Sequence, residues 1–320
     1  MSQYDKDSLG SRMKRYESVP RNGLMNRVPV IIRLDGKAFH TLTRGFDRPY
    51  DKILQTAMVA AAEDVAREMQ GFKAAYHQSD EVSFLLTDYD TIETSAWFDY
   101  DQQKLASVAA SIMTANFNKE LLEGIRKHND ALIFAQPFED CDFSIHAGTE
   151  ARFVEFWKDG WCIVNVAGVN VSVPISHFQS PPRRRPPLAY FDGRAFNVPK
   201  EDVVNYFLWR AKDWERNSLA MYCSIFFSHK ELQGKNTKDR HEMLHAIGKN
   251  WATDVDEQSR NGTLFTNGGY KDGSFYHWKG ITARYVDIDS VITPLVYCEE
   301  EVSPLAECAM ADKEAEEGDQ

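Results

Sequence analysis

Residues 74–86, AAYHQSDEVSFLL, set two apolar runs on either side of Ser79-Asp80-Glu81. That pattern predicts a hairpin: two short strands, each too apolar to be left in solvent, joined by an acidic turn. Upstream, VPVIIRLDG (28–36) is a run rich in β-branched residues that stops at Asp-Gly, a buried strand ending in a tight turn. Between them, 49–71 opens on Pro49 and closes on Gly71. Ile53, Met58, Ala61, Val65 and Met69 recur there at helical spacing. A longer helix is predicted over 99–127, with small residues on its apolar face. The order β-α-β-β-α constrains the fold more than any other feature. A split βαββαβ unit sets the end of its first strand beside the hairpin between its second and third. Asp35 and Asp80 would then be neighbours although far apart in sequence.

The predicted fold class is therefore α+β, a split β-α-β (ferredoxin-like) core with added helices and a β-rich insertion. Residues 1–27 read as a polar lead-in. A single domain is expected over 28–298, with an insertion at about 125–187. FSIHAGTEARFVEFWKDGWCIVNVAGVNVSVPISHF reads as β-rich within it, and SPPRRRPP (180–187) as an extended linker with three exposed arginines. A strand is expected at 188–198, one or two helices over 199–232, another helix over 236–254, and a short hairpin over 262–288.

Charge and cysteine usage narrow the setting. Of the net charge of −11, the segment 299–320 holds nine acidic residues against Lys313, a net −8, which leaves −3 for the body. That tail is expected to be disordered and solvated, so the acidic total does not exclude a basic groove for nucleic acid. No apolar stretch approaches 18 residues, and the N-terminus has no apolar signal core; no membrane partner is expected. Five cysteines without a CxxC suit a reducing cytoplasm.

Four groups of residues have the types and spacing that chemistry needs. Asp35 and Asp80, at the ends of adjacent strands, can hold two magnesium ions, unless each is an ordinary polar turn. The backbone N–H groups of Gly36 to His40 can cradle a triphosphate, with Lys37, His40 and Arg48 as added donors. In WRAKDWERNS (209–218), Arg210, Lys212 and Arg216 suit phosphates, and Asn217 and Ser218 suit a nucleotide or a strand end. The same stretch also fits a solvated helix face with Trp209 and Trp214 packed inward. HEMLH (241–245) matches the zinc-peptidase pattern, with His241 and His245 as ligands and Glu242 as base. Arg183-Arg184-Arg185 and SHKELQGKNTK (228–238) either grip RNA phosphates or are a linker and a solvated loop.

The motifs RLDGKAFH (33–40), YHQSDEVSF (76–84), FDGRAFNVP (191–199), FLWRAKDWERNS (207–218) and SHKELQGK (228–235) resemble, in order, those of the tRNA-His guanylyltransferase superfamily. The resemblance spans about 28–124 and 188–255. It implies a palm-like core and addition of nucleotides to a tRNA 5′ end in the 3′-to-5′ direction, after activation of that end by ATP or GTP. It implies that Asp35 and Asp80 are catalytic and hold two Mg²⁺ with the Gly36 carbonyl. It implies that Asp35, Gly36, Lys37, Ala38, Phe39, His40, Ser79, Asp80 and Lys104 bind the nucleoside triphosphate. Arg48, Arg210, Asn217 and Ser218 are then expected to meet RNA or a second nucleotide, and a homotetramer is expected. ERNSLAM (215–221) stands where eukaryotic members carry HINNLYN, and only Asn217 and Leu219 match. This stretch is similar instead to the bacterial and archaeal Thg-like branch, whose members repair truncated tRNA 5′ ends against a template. Two other readings remain: a zinc metallopeptidase through His241-Glu242-His245, and a non-catalytic RNA-binding palm protein. A palm-like nucleotide cyclase has no obvious use for the WRAKDWERNS helix.

Overall fold

The computed structural model describes residues 9–134, 150–158, 160–178, 180–267 and 275–278. The acidic tail, the first eight residues and residues 135–149 of the predicted insertion lie outside the described residues; the predicted insertion's first residues instead continue the long helix Gln102–Phe134. The described part of the chain begins with a helix where a polar lead-in was expected, α1 (Leu9–Ser18), none of whose residues is buried. β1 (Val30–Gly36) follows, then the single turn α2 (Phe39–Leu42) and α3 (Lys52–Glu68). Asp51 starts α3 by accepting from Leu54 N at 3.0 Å, a side-chain cap that satisfies one of the helix's orphan donors. β2 (Phe72–Gln78) and β3 (Glu81–Leu86) form the hairpin, and α4 (Gln102–Phe134) is the long second helix.

The insertion is a meander of its own, β4 (Ala151–Lys158), β5 (Trp161–Val166) and β6 (Val169–Pro174), in that order in a separate sheet. It packs around Cys162, Val164, Val173 and Phe178 onto Ile133 near the C-terminal end of α4. The chain returns through 180–187 to β7 (Phe191–Asn197). It then runs into α5 (Val203–Phe226), α6 (His229–Leu232), α7 (Thr237–Ala246), α8 (Trp251–Asp254) and α9 (Glu257–Asn261). The expected helix over 236–254 is thus two helices. β8 (Thr263–Asn267) and β9 (Phe275–Trp278) close the described chain.

Among the described residues six strands form the main sheet in the order β7-β1-β3-β2-β8-β9, antiparallel at every pair. β3 lies between β1 and β2, the two strands that α3 connects. β1 is buried on both faces, which is why its apolar run does not alternate. Ile32 and Leu34 face α3 and α4 with Met58, Val65, Met113 and Phe117, while Ile31 faces α5 with Leu85, Val203 and Phe207. Helices on both faces hold the ends of β1 and of the hairpin in register, and the candidate site lies there.

Candidate active site at the ends of β1 and the hairpin

The register of the sheet decides the geometry. Asp35 on β1 pairs with Glu81 on β3, and Gly36 N donates to Asp80 O at 3.0 Å. Asp35 and Asp80 are thereby brought together, as the strand order implied. The turn between β2 and β3 is two residues, Ser79 and Asp80, with φ of +52° at Ser79. Ala38 also has positive φ (+56°), just before α2. Non-glycine residues held in this region cost about 1–3 kcal/mol each, and such conformations gather at functional sites. Gly36 is required by contact: a Cβ there would sit 2.4 Å from the Phe39 ring and 3.0 Å from Asp80 Cβ.

Two clefts meet at this point. One, of about 530 Å³, is lined by Gly36, Ala38, His40, Arg48, Ser79 and Asp80, and by Thr43, Phe46, Asp47 and Asp51 before α3. Met221 and Ser224 of α5 close it. The other, of about 450 Å³, is lined by Asp35, Asp80, Arg210, Trp214 and Asn217. Asp80, Ser79 and Met221 border both.

The backbone of the Gly36–His40 loop is only partly available. Gly36 N–H is given to Asp80 O, and Lys37 N–H donates to Tyr190 O at 2.8 Å. The N–H groups of Ala38, Phe39 and His40 are the ones left for an anion, which shortens the expected cradle to three donors. Phe39 contributes backbone alone, because its ring packs 5.4 Å from Phe117 and 5.3 Å from Phe191. The Lys37 side chain is exposed and lines neither cleft.

The electrostatics fit a cation. Burial raises the Asp80 carboxyl above its usual range, and the charge of Asp35 raises it further. Its own backbone and the Ser79 hydroxyl oppose this, and no cationic side chain is among the influences on it. Two like charges held together are what a divalent ion relieves. Two carboxylates and the Gly36 carbonyl are hard oxygen donors suited to Mg²⁺, which keeps further positions for water and phosphate. Among the described residues no three His, Cys, Asp or Glu side chains converge, so the remaining ligands would come from substrate and solvent.

Several expected contacts are corrected. Arg210 borders the second cleft, but its guanidinium is committed to a bidentate pair with Glu81 at 2.6 and 2.7 Å, and each residue is 8% exposed. Thus the acidic pair at the hairpin tip divides by partner: Glu81 is bound to Arg210 of α5, while Asp80 has no such cation, although both border the second cleft. Ser218 is fully buried, its hydroxyl shared with Tyr50 (2.6 Å), Ser259 O (3.0 Å) and Trp251 Nε1 (3.2 Å), and cannot meet RNA. Lys104 lines neither cleft; its Nζ is 6.0 Å from the Phe98 ring. Arg48 and Asn217 do line them. Trp214 packs inward, but Trp209 is 51% exposed. Arg183 is not an exposed linker residue, since its side chain is 10% exposed. In HEMLH the two imidazoles are 6.4 Å apart, and Glu242 reaches Lys238 at 3.8 Å instead. No third ligand joins them among the described residues.

Comparison with known proteins shows the family. A family model of tRNAHis guanylyltransferases matches residues 10–144. A solved bacterial tRNA(His) guanylyltransferase-like protein in complex with ATP is 32% identical, with a TM-score of 0.66, over 91% of this chain and 100% of that one. The chain belongs to the tRNA-His guanylyltransferase superfamily. A second bacterial structure of the family, in complex with GTP, is 30% identical with a TM-score of 0.59 and is matched over 93% of its length. The superfamily enzyme of Saccharomyces cerevisiae, at 19% identity and a TM-score of 0.54, shares the fold. Among curated superfamily members, the Schizosaccharomyces pombe guanylyltransferase is 33% identical over 48% of this chain and 56% of its own. The probable mouse enzyme is 24% identical over 67% of this chain, likewise spanning 56% of the relative.

Proposed function

We propose that the protein is a Mg²⁺-dependent nucleotidyltransferase that adds nucleotides to the 5′ end of tRNA in the 3′-to-5′ direction, on a palm-like core. The observation that carries this reading is the pair Asp35 and Asp80, brought together by the strand register where two clefts meet, with Asp80 bordering both. One cleft suits the triphosphate of the incoming nucleotide, and the other suits the RNA end. The ATP- and GTP-bound neighbours support a nucleoside triphosphate as substrate. ERNSLAM in place of HINNLYN supports the repair branch.

In this reading Asp35, Asp80 and the Gly36 carbonyl hold magnesium. Bound there, it supplies Lewis-acid polarisation of a phosphoryl oxygen and makes a neighbouring hydroxyl more acidic. The N–H groups of Ala38 to His40, with Arg48, orient the triphosphate. The 3′-hydroxyl of the bound nucleotide attacks the α-phosphorus of the activated tRNA 5′ end. The new phosphodiester forms as the bond to AMP, GMP or pyrophosphate breaks, and the hydroxyl proton passes to solvent. Asn217, in the second cleft, is placed to hydrogen-bond the RNA end.

The test is transfer of labelled nucleotides to 5′-monophosphorylated tRNAs, full-length and lacking the first nucleotide, with ATP and Mg²⁺. Template-matched extension of the truncated tRNA is expected, and it should vanish in Asp35→Ala. G added only to full-length tRNA-His would move the protein to the guanylylation branch. Transfer persisting in Asp35→Ala would refute the site.

A further inference from the structure

The strap 180–187 was expected to be an exposed linker, yet it is anchored tightly. Asn129 of α4, itself buried, accepts from Arg183 N at 2.7 Å and donates to Arg183 O at 2.9 Å. The guanidinium lies 5.3 Å from the Phe46 ring centroid, donates to Asp47 at 2.6 Å and is ion-paired with Asp51. Phe46, Asp47 and Asp51 all line the triphosphate cleft.

That arrangement has an electrostatic consequence. The cleft carries the carboxylates of Asp47, Asp51 and Asp80, against Arg48 and His40. With Asp80 given to magnesium in the proposed reading, Asp47 and Asp51 form the wall left to repel a triphosphate. Asp51 cannot be dispensed with, because it caps α3 and also accepts from Asp47 N at 3.0 Å. His128, near the same carboxylates, is kept towards its neutral form by burial and by the charge of Arg183, so it adds little compensation. Arg183 supplies the missing cation from behind the wall, held in place by the Asn129 clamp and flanked by Pro181-Pro182 and Pro186-Pro187.

We infer that Arg183 is a positioning residue for nucleotide binding: its single charge offsets one of the two carried by Asp47 and Asp51, so that the strap from the β4–β6 meander makes the cleft more accepting of an anion. This rests on the proposed triphosphate site and deepens it. The guanidinium need not touch the nucleotide; it acts through the two carboxylates.

The test is calorimetric titration of ATP with Mg²⁺ into the full chain, apart from any tRNA reaction. Arg183→Gln should weaken binding by about ten-fold, the effect of one uncompensated charge near a polyanion. It should raise KM for the nucleotide while leaving kcat within about two-fold. Adding Asp47→Asn to Arg183→Gln removes one of the exposed charges and should restore most of the affinity. A merely structural ion pair predicts no such rescue. If Arg183→Gln does not fold, Asp47→Asn alone serves, since Asp47 is 74% exposed; it should tighten ATP binding by about two- to five-fold. Wild-type affinity in Arg183→Gln, or no rescue by Asp47→Asn, or no tightening in Asp47→Asn alone, overturns the inference and leaves the proposed function standing. No ATP binding by the wild type overturns both.

Discussion

Arg210→Met separates the architecture of the site from its chemistry. The substitution keeps much of the aliphatic stem and removes the guanidinium, leaving Glu81 as a buried carboxylate without its bidentate partner. Removing one member of a buried pair costs about 3–5 kcal/mol. The lower end is expected here, because Arg33 Nε remains 4.0 Å from Glu81. The loss should depend on pH in a definite direction. Burial already raises the Glu81 carboxyl above its usual range; Arg210 and then Arg33 oppose that, and Asp35 adds to it. A carboxyl raised in the folded state favours folding below its unfolded value and loses that contribution as pH rises through the folded value. Without Arg210 the folded value moves higher still. Urea denaturation of Arg210→Met should therefore show a larger deficit at pH 8 than at pH 5. Glu81→Gln/Arg210→Met should recover most of the loss, because no charge is then stranded. A deficit below about 1 kcal/mol, equal at both pH values, would refute the assignment of this pair as a buried strut between β3 and α5.

Two further outcomes follow from the same geometry. Mg²⁺ should raise the melting temperature of the wild type and not that of Asp80→Asn, because one ligand and the like-charge strain are both gone; the wild-type shift should shrink as pH falls and Asp80 takes a proton, and an equal shift in both proteins would remove Asp80 from the metal site. Gly36→Ala should destabilise the fold by about 1–3 kcal/mol through the Phe39 and Asp80 contacts and weaken ATP binding, read by thermal melting and titration.

Much of the site was legible in the chain. The β-branched run ending at Asp35-Gly36 and the apolar runs flanking Ser79-Asp80 specify their elements locally, and the order β-α-β-β-α implies their adjacency. α1 was not legible, since none of its residues is buried and its charges mask any apolar stripe. The inward arginines were not legible either. In a linear reading Arg183 belongs to a proline-rich linker and Arg210 to a mixed-charge helix face.

What the sequence determined by itself, then, is where backbone chemistry changes character: strand ends, an acidic turn, an Asp-Gly stop. Those depend on local sterics and hydrophobic periodicity, which a short window contains. What only the tertiary structure decided is which charges are spent. Arg210 finds Glu81 across 129 residues, and Arg183 finds Asp51 and Asp47 across 132 and 136. Ser218 is enclosed by Tyr50, Trp251 and Ser259. A charged side chain is the same in solvent and in a buried pair until packing removes the water, and that removal is a property of elements far apart in the chain.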